Sequence, residues 1–200
     1  MTFDYDSRLL PLLADIEGDL TASISAAIAD LKVAEPAYAL FLWYDDSSTW
    51  EPHICPNLGV GTTSLREACA EEFEDDRDSF LNCIWRPNQE REDELVFAGF
   101  EEPSLASRCQ EAYRLMWAAT EVPLPEHEDA ELLRPFRAMM HRVALRLNEF
   151  DWSKTLPTTD DFVVTAVDKI GYWLLEDMVA SIPLAKRKVL QKRRLFPEAN

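Results

Sequence analysis

The sequence predicts an α+β domain, a mixed or antiparallel sheet flanked by helices, and three stretches carry that expectation. Residues 6–32 place Leu9, Leu13, Ile16, Leu20, Ile24, Ala27 or Ile28 and Leu31 three or four positions apart, the pattern of a long N-terminal amphipathic helix. Ala37 to Tyr44 is an unbroken apolar run, as in a strand covered on both faces. Phe162 to Val167, mostly β-branched, follows the polar turn chemistry of Pro157 to Asp161 and reads as a buried strand against which helices pack. Helices and strands follow one another in no regular βαβ succession, so α+β is the economical class. Two hundred residues suit one domain spanning 1–200, long enough to bury a core without staples.

In chain order, Asp6 or Ser7 caps the first helix, Pro11 fits its first turn and Gly18 weakens its middle. Residues 34–36 end it. The strand to Tyr44 is expected to be central, with a turn at Asp45–Ser48 and a returning strand over 49–55 that Pro52 marks as edge or bulged. Pro56 to Gly61 reads as a loop, and its two glycines form neither Gly-x-Gly-x-x-Gly nor a Gly-Lys-Ser/Thr cradle. Ser64 and Glu67 fit a capping box opening a helix to about Phe73. Phe80 to Trp85 reads as another short strand. A helix follows from Ser104 to Thr120, then a stiff 122–125 connection and a helix over 128–149 that Pro135 must kink or split. Helices are also expected over 170–180 and from Ser181, with Pro183 in the first turn, until Leu195 to Pro197 stop the last one.

Charge is the strongest compositional signal. Thirty-seven acidic and 20 basic residues give −17, which disfavours direct contact with nucleic acid or an anionic membrane. Lys186, Arg187, Lys188, Lys192, Arg193 and Arg194 cluster near the end. Without the six basic and one acidic residues beyond 185, the remaining 36 acidic and 14 basic residues carry −22. The basic helix is expected to dock on the acidic remainder of its own chain. Acidic residues concentrate at Glu71, Glu72, Glu74, Asp75, Asp76 and Asp78, and again at Glu90, Glu92, Asp93, Glu94, Glu101 and Glu102. Neither stretch has the ordered spacing of a calcium loop, so both read as surface.

Other chemistry is sparsely signalled. Cys55, Cys69, Cys83 and Cys109 form no Cys-x-x-Cys pair and His53, His127 and His141 are scattered, so no zinc site is read and reduced, partly buried thiols are expected. No Gly-x-Ser-x-Gly or His-Glu-x-x-His occurs, and no catalytic residue or cofactor is assigned. The best alternative constellation is a set of strand-end carboxylates, Asp45, Asp46, Asp160, Asp161 and Asp168, which would hold a hard cation or act as acid and base if the strands bring them together. Ordinary turn chemistry accounts for them more simply. Apolar runs fall short of a membrane span, and the acidic start of the chain carries no secretory pattern, so a cytoplasmic location is expected.

The long N-terminal helix, the strand Tyr38 to Tyr44 with its Asp-Asp turn, Asp151 to Lys154 and Thr159 to Asp168 together resemble an uncharacterised family of small bacterial proteins, a domain of unknown function loosely associated with immunity proteins of polymorphic toxin systems. The resemblance implies a binding role and supplies no catalytic residue. With the charge, it leads to the expectation of a non-enzymatic acidic protein that neutralises a basic, toxin-like protein partner through residues 71–78 and 90–102. A carboxylate enzyme of unknown reaction, with or without a divalent metal, and a scaffold that self-associates through the first or last helix are the alternatives.

Overall fold

In the computed structural model, which describes residues 3–44, 56–87, 91–98, 103–120, 129–168 and 173–197, the N-terminal stripe becomes α1 (Leu9–Ala29). Leu9, Leu13, Ile16, Leu20, Ile24 and Ile28 are all buried in the chain's own core. At about 1.5–3 kcal/mol for each fully buried side chain, this face is spent inside the molecule, and Leu10 is the large apolar residue of α1 left exposed. That weakens self-association through this helix. Glu17, also buried, lies 2.8 Å from Arg142 Nε and 2.9 Å from Arg146 Nη2, tying α1 to α5 (Arg134–Leu147).

The sheet is mixed. β1 (Ala37–Tyr44) runs antiparallel to β2 (Asn57–Thr62) and parallel to β4 (Thr158–Asp168), while β2 pairs antiparallel with β3 (Val96–Ala98). The order is β3-β2-β1-β4, so β1 is interior as expected. Leu40, Leu42 and Tyr44 face a core layer shared with α1, α4 (Pro103–Trp117) and α5; Ala39, Phe41 and Trp43 face the opposite layer. That second layer includes side chains of α2 (Thr63–Glu72), α3 (Arg77–Trp85), α6 (Leu174–Ser181) and α7 (Leu184–Lys192). A bulge between Ala37 and Ala39 lets Tyr38 and Ala39 both enter the second layer.

Four expectations are corrected. The 56–61 loop is strand β2, because the glycines give room to rings: a Cβ on Gly59 would lie 2.3 Å from the Trp43 indole, and one on Gly61 2.6 Å from the Tyr38 ring. The turn and returning strand over 45–55 lie outside the described residues. Phe80 to Trp85 belongs to helix α3, whose Asp76 cap accepts from the Ser79 backbone N–H at 3.1 Å. The Ser64–Glu67 capping box is replaced by a cap from outside the helix, since Glu35 Oε2 accepts from Ser64 N at 2.9 Å, Ser64 Oγ at 2.5 Å and Thr63 Oγ1 at 3.2 Å. Those Ser64 and Thr63 bonds hold the Glu35 carboxyl below its ordinary range. Finally, Cys69 and Cys83 are not thiols but a disulfide linking α2 to α3, while Cys109 is buried on α4.

Pro135 splits its helix as expected, leaving a short turn at Asp129–Leu132 before α5. The basic C-terminal segment docks on its own chain. Lys186 Nζ donates to the Phe162 carbonyl at 3.0 Å, Arg193 reaches Asp161 at 3.0 Å and Asp160 at 3.4 Å, and Trp85 Nε1 donates to the Leu195 carbonyl at 2.7 Å. Among the described residues, no helix is long and apolar enough to cross a membrane.

Candidate binding surface and the buried carboxylates

The last turn of α2, the 73–76 turn and the start of α3 present Glu71, Glu72, Glu74, Asp75, Asp76 and Asp78 to solvent. Their polarity keeps the outer face of both helices in water while Leu65, Cys69, Leu81 and Cys83 face inward, and the disulfide fixes one helix to the other from behind. Asp76 is bonded by the Ser79 hydroxyl at 2.7 Å and by the Ser79 N–H, which lowers its pKa. Glu67, Ala70, Glu71 and Glu74 line a shallow open hollow on the same side.

The structure also brings the second acidic stretch to this face. Arg91 pairs with both Glu72 and Glu94, so the short helical turn Glu92–Glu94, with Asp93 and Glu94 exposed, lies against the end of α2. Glu90, Glu101 and Glu102 lie outside the described residues. The nearest cations on α2 and α3 point elsewhere. Arg66 pairs with Asp161 and covers the Tyr38 ring at 4.4 Å, and Arg77 Nη2 donates to the Phe196 carbonyl at 3.4 Å. The resulting face carries a concentrated negative potential that a partner with complementary charge would feel over about a Debye length, ~10 Å at 0.1 M salt.

Among the described residues, the strand carboxylates do not converge. Asp160 and Asp161 stand at the start of β4 and Asp168 at its end, about 23 Å apart at the rise of a strand. Asp45 and Asp46 lie outside the described residues. Asp160 is exposed, whereas Asp161 is buried against Arg66, Arg193 and the Thr159 hydroxyl at 2.6 Å. Burial alone would raise the Asp161 pKa, but Thr159, Arg66 and Arg193 outweigh it and the pKa is lowered. A depressed folded-state pKa stabilises above the unfolded value of about 3.9 and is lost as pH falls through the folded value. Asp161→Asn is therefore expected to flatten the acid limb of a stability-versus-pH curve below about pH 4; parallel curves for the variant and the parent chain would refute this.

Sequence reasoning missed another buried carboxylate. Asp177, fully buried on α6, accepts at Oδ1 from Arg137 Nε at 2.9 Å and His141 Nε2 at 2.8 Å, and at Oδ2 from Tyr44 OH at 2.7 Å and the Asp168 backbone N–H at 3.0 Å. Facing a carboxylate, His141 Nε2 carries the proton. Burial pulls the Arg137 pKa down, yet Tyr44 and Asp177 more than offset it and the pKa is raised; its guanidinium also stacks on Trp173 at 4.7 Å. Both carboxylate oxygens are saturated by donors, which makes Asp177 a joint between β1, β4, α5 and α6 rather than an acid or base aimed at a substrate. Its local signal is a pair of polar i, i+4 spacings, Arg137 with His141 and Asp177 with Ser181, within amphipathic helices.

Among the described residues, no group of three or more His, Cys, Asp or Glu side chains is arranged to hold a metal ion. Comparison with known proteins returns no match to a family model, to a curated protein or to a solved structure.

Proposed function

We infer that this protein is a non-enzymatic binding protein whose acidic face, on α2, α3 and the Glu92–Glu94 turn, engages a basic protein partner, in the manner of an immunity protein occluding a toxin. The observation that carries this reading is the convergence of two acidic stretches on one exposed face, joined through Arg91, while Arg66 and Arg77 turn toward the body of the chain. The disulfide holds that face in place before any encounter, so little ordering is required on binding. Complementary potentials accelerate such association and discriminate against acidic competitors.

Glu71→Lys, Glu74→Lys and Asp75→Lys combined, all at exposed positions, should leave the fold intact and weaken capture of a basic partner from the native cell by about tenfold or more at low salt. Raising the salt should weaken capture by the parent chain in the same direction. Equal capture by the charge-reversed and parent chains, insensitive to salt, would sink this assignment.

A further inference from the structure

The two ends of the sheet are treated differently. On β4, the outer backbone groups are met by the chain's own side chains: Asn148 accepts from Val164 N at 3.0 Å and donates to Val164 O at 2.6 Å, Lys186 donates to Phe162 O, and Asp177 accepts from Asp168 N. Covering an edge strand in this way prevents a second chain from pairing with it. β3, the other end strand of the described sheet, shows no such side-chain cover among the described residues. It also exposes an aromatic. Phe97 is 43% exposed, its ring 5.9 Å from Trp43, and the buried Trp43 indole N–H at the same corner has no acceptor.

The acidic turn leads directly into this edge, because Glu92–Glu94 precedes Val96 and is held against Glu72 by Arg91. We propose that the partner docks by adding an extended, lysine- or arginine-bearing segment to the outer edge of β3, uncovered among the described residues, with its apolar side chains on Phe97 and its cations toward Glu72, Asp93 and Glu94. The proposal rests on the acidic-face reading and specifies how that face is used. Residues two apart along a strand lie on one face about 7 Å apart, so a segment with an apolar and a basic residue two positions apart sets one on Phe97 and the other beside the acidic turn, on the same face. A polyamine lacks the peptide groups to extend the sheet, and nucleic acid is repelled by the same carboxylates.

The test uses a short synthetic peptide that carries valine and lysine two positions apart on one face, with threonine between them, compared by calorimetry with the same peptide N-methylated at every position, which keeps the charge and removes the N–H donors. The unmodified peptide should bind about tenfold or more tightly than the methylated one, as expected for two or three added backbone hydrogen bonds. Its addition should slow amide exchange at Val96, Phe97 and Ala98. Phe97→Ala should weaken the unmodified peptide, and the charge reversal Asp93→Lys, which leaves the Arg91 pairs to Glu72 and Glu94 in place, should abolish most of its binding. Equal binding of the two peptides, lost on charge reversal, would overturn strand addition and leave the acidic-face reading standing. A preference for the unmodified peptide that survives charge reversal would overturn the basic partner segment, and no binding of either peptide would overturn both readings.

Discussion

Replacing Asp177 with alanine is expected to lower the stability of the protein by about 3–5 kcal/mol, the cost of removing one partner from a buried ion pair. For a chain of this size that corresponds to a fall in Tm of roughly 6–20 °C. The loss has a specific origin. Without the carboxylate, the half-buried Arg137 guanidinium has no counter-charge at this position, and the Tyr44 hydroxyl and Asp168 N–H lose the acceptor they share. Four elements then part company at one point, since Tyr44 ends β1, Asp168 ends β4, Arg137 and His141 sit on α5, and Asp177 lies in α6. His141→Gln, which keeps a donor in reach of Asp177, should cost far less. A double change of Asp177→Asn with Arg137→Gln should cost less than the sum of its single changes, because the stranded charge goes with its partner. Urea unfolding of the parent chain and the five variants decides the matter. Additive losses across the pair would show that Asp177 and Arg137 act independently and would remove the joint.

Local pattern made α1 and β1 legible. The apolar spacing of α1 and the unbroken run of β1 each specify burial without reference to the rest of the chain. What escaped depends on residues far away in sequence. Gly59 and Gly61 read as loop residues because their reason for being glycine is a ring on a neighbouring strand. Phe80 to Trp85 is too short an apolar run for its period to separate helix from strand, and the disulfide that holds it to α2 follows no recognisable spacing. Asp161 looked like turn chemistry, while its partner Arg66 lies 95 positions away. The acidic stretches were visible as charge, but their convergence depends on Arg91, a single basic residue between them and the core of the fold.

Reduction of the Cys69–Cys83 disulfide is the second change expected to have a large effect, lowering stability by about 3 kcal/mol for a loop of this size. On the loop-entropy account the gain lies in the unfolded chain, where the cross-link removes conformations that the reduced chain explores. The native state should nonetheless feel the loss, because α2 and α3 carry the acidic face and are short helices that depend on packing. Loosening them spreads the carboxylates over more arrangements and raises the ordering cost of binding, so affinity for a lysine-rich peptide should fall along with stability. Disulfides persist where thiols are not kept reduced, which makes the state of this pair in the native cell informative. Alkylation of rapidly denatured cells should leave Cys69 and Cys83 unmodified until reductant is added. The paired variant Cys69→Ser with Cys83→Ser should match the reduced protein in both stability and peptide affinity. If both cysteines alkylate without reductant, or if the paired variant is as stable as the oxidised chain, the cross-link does not hold this face and its order must come from Arg91 and helix packing alone.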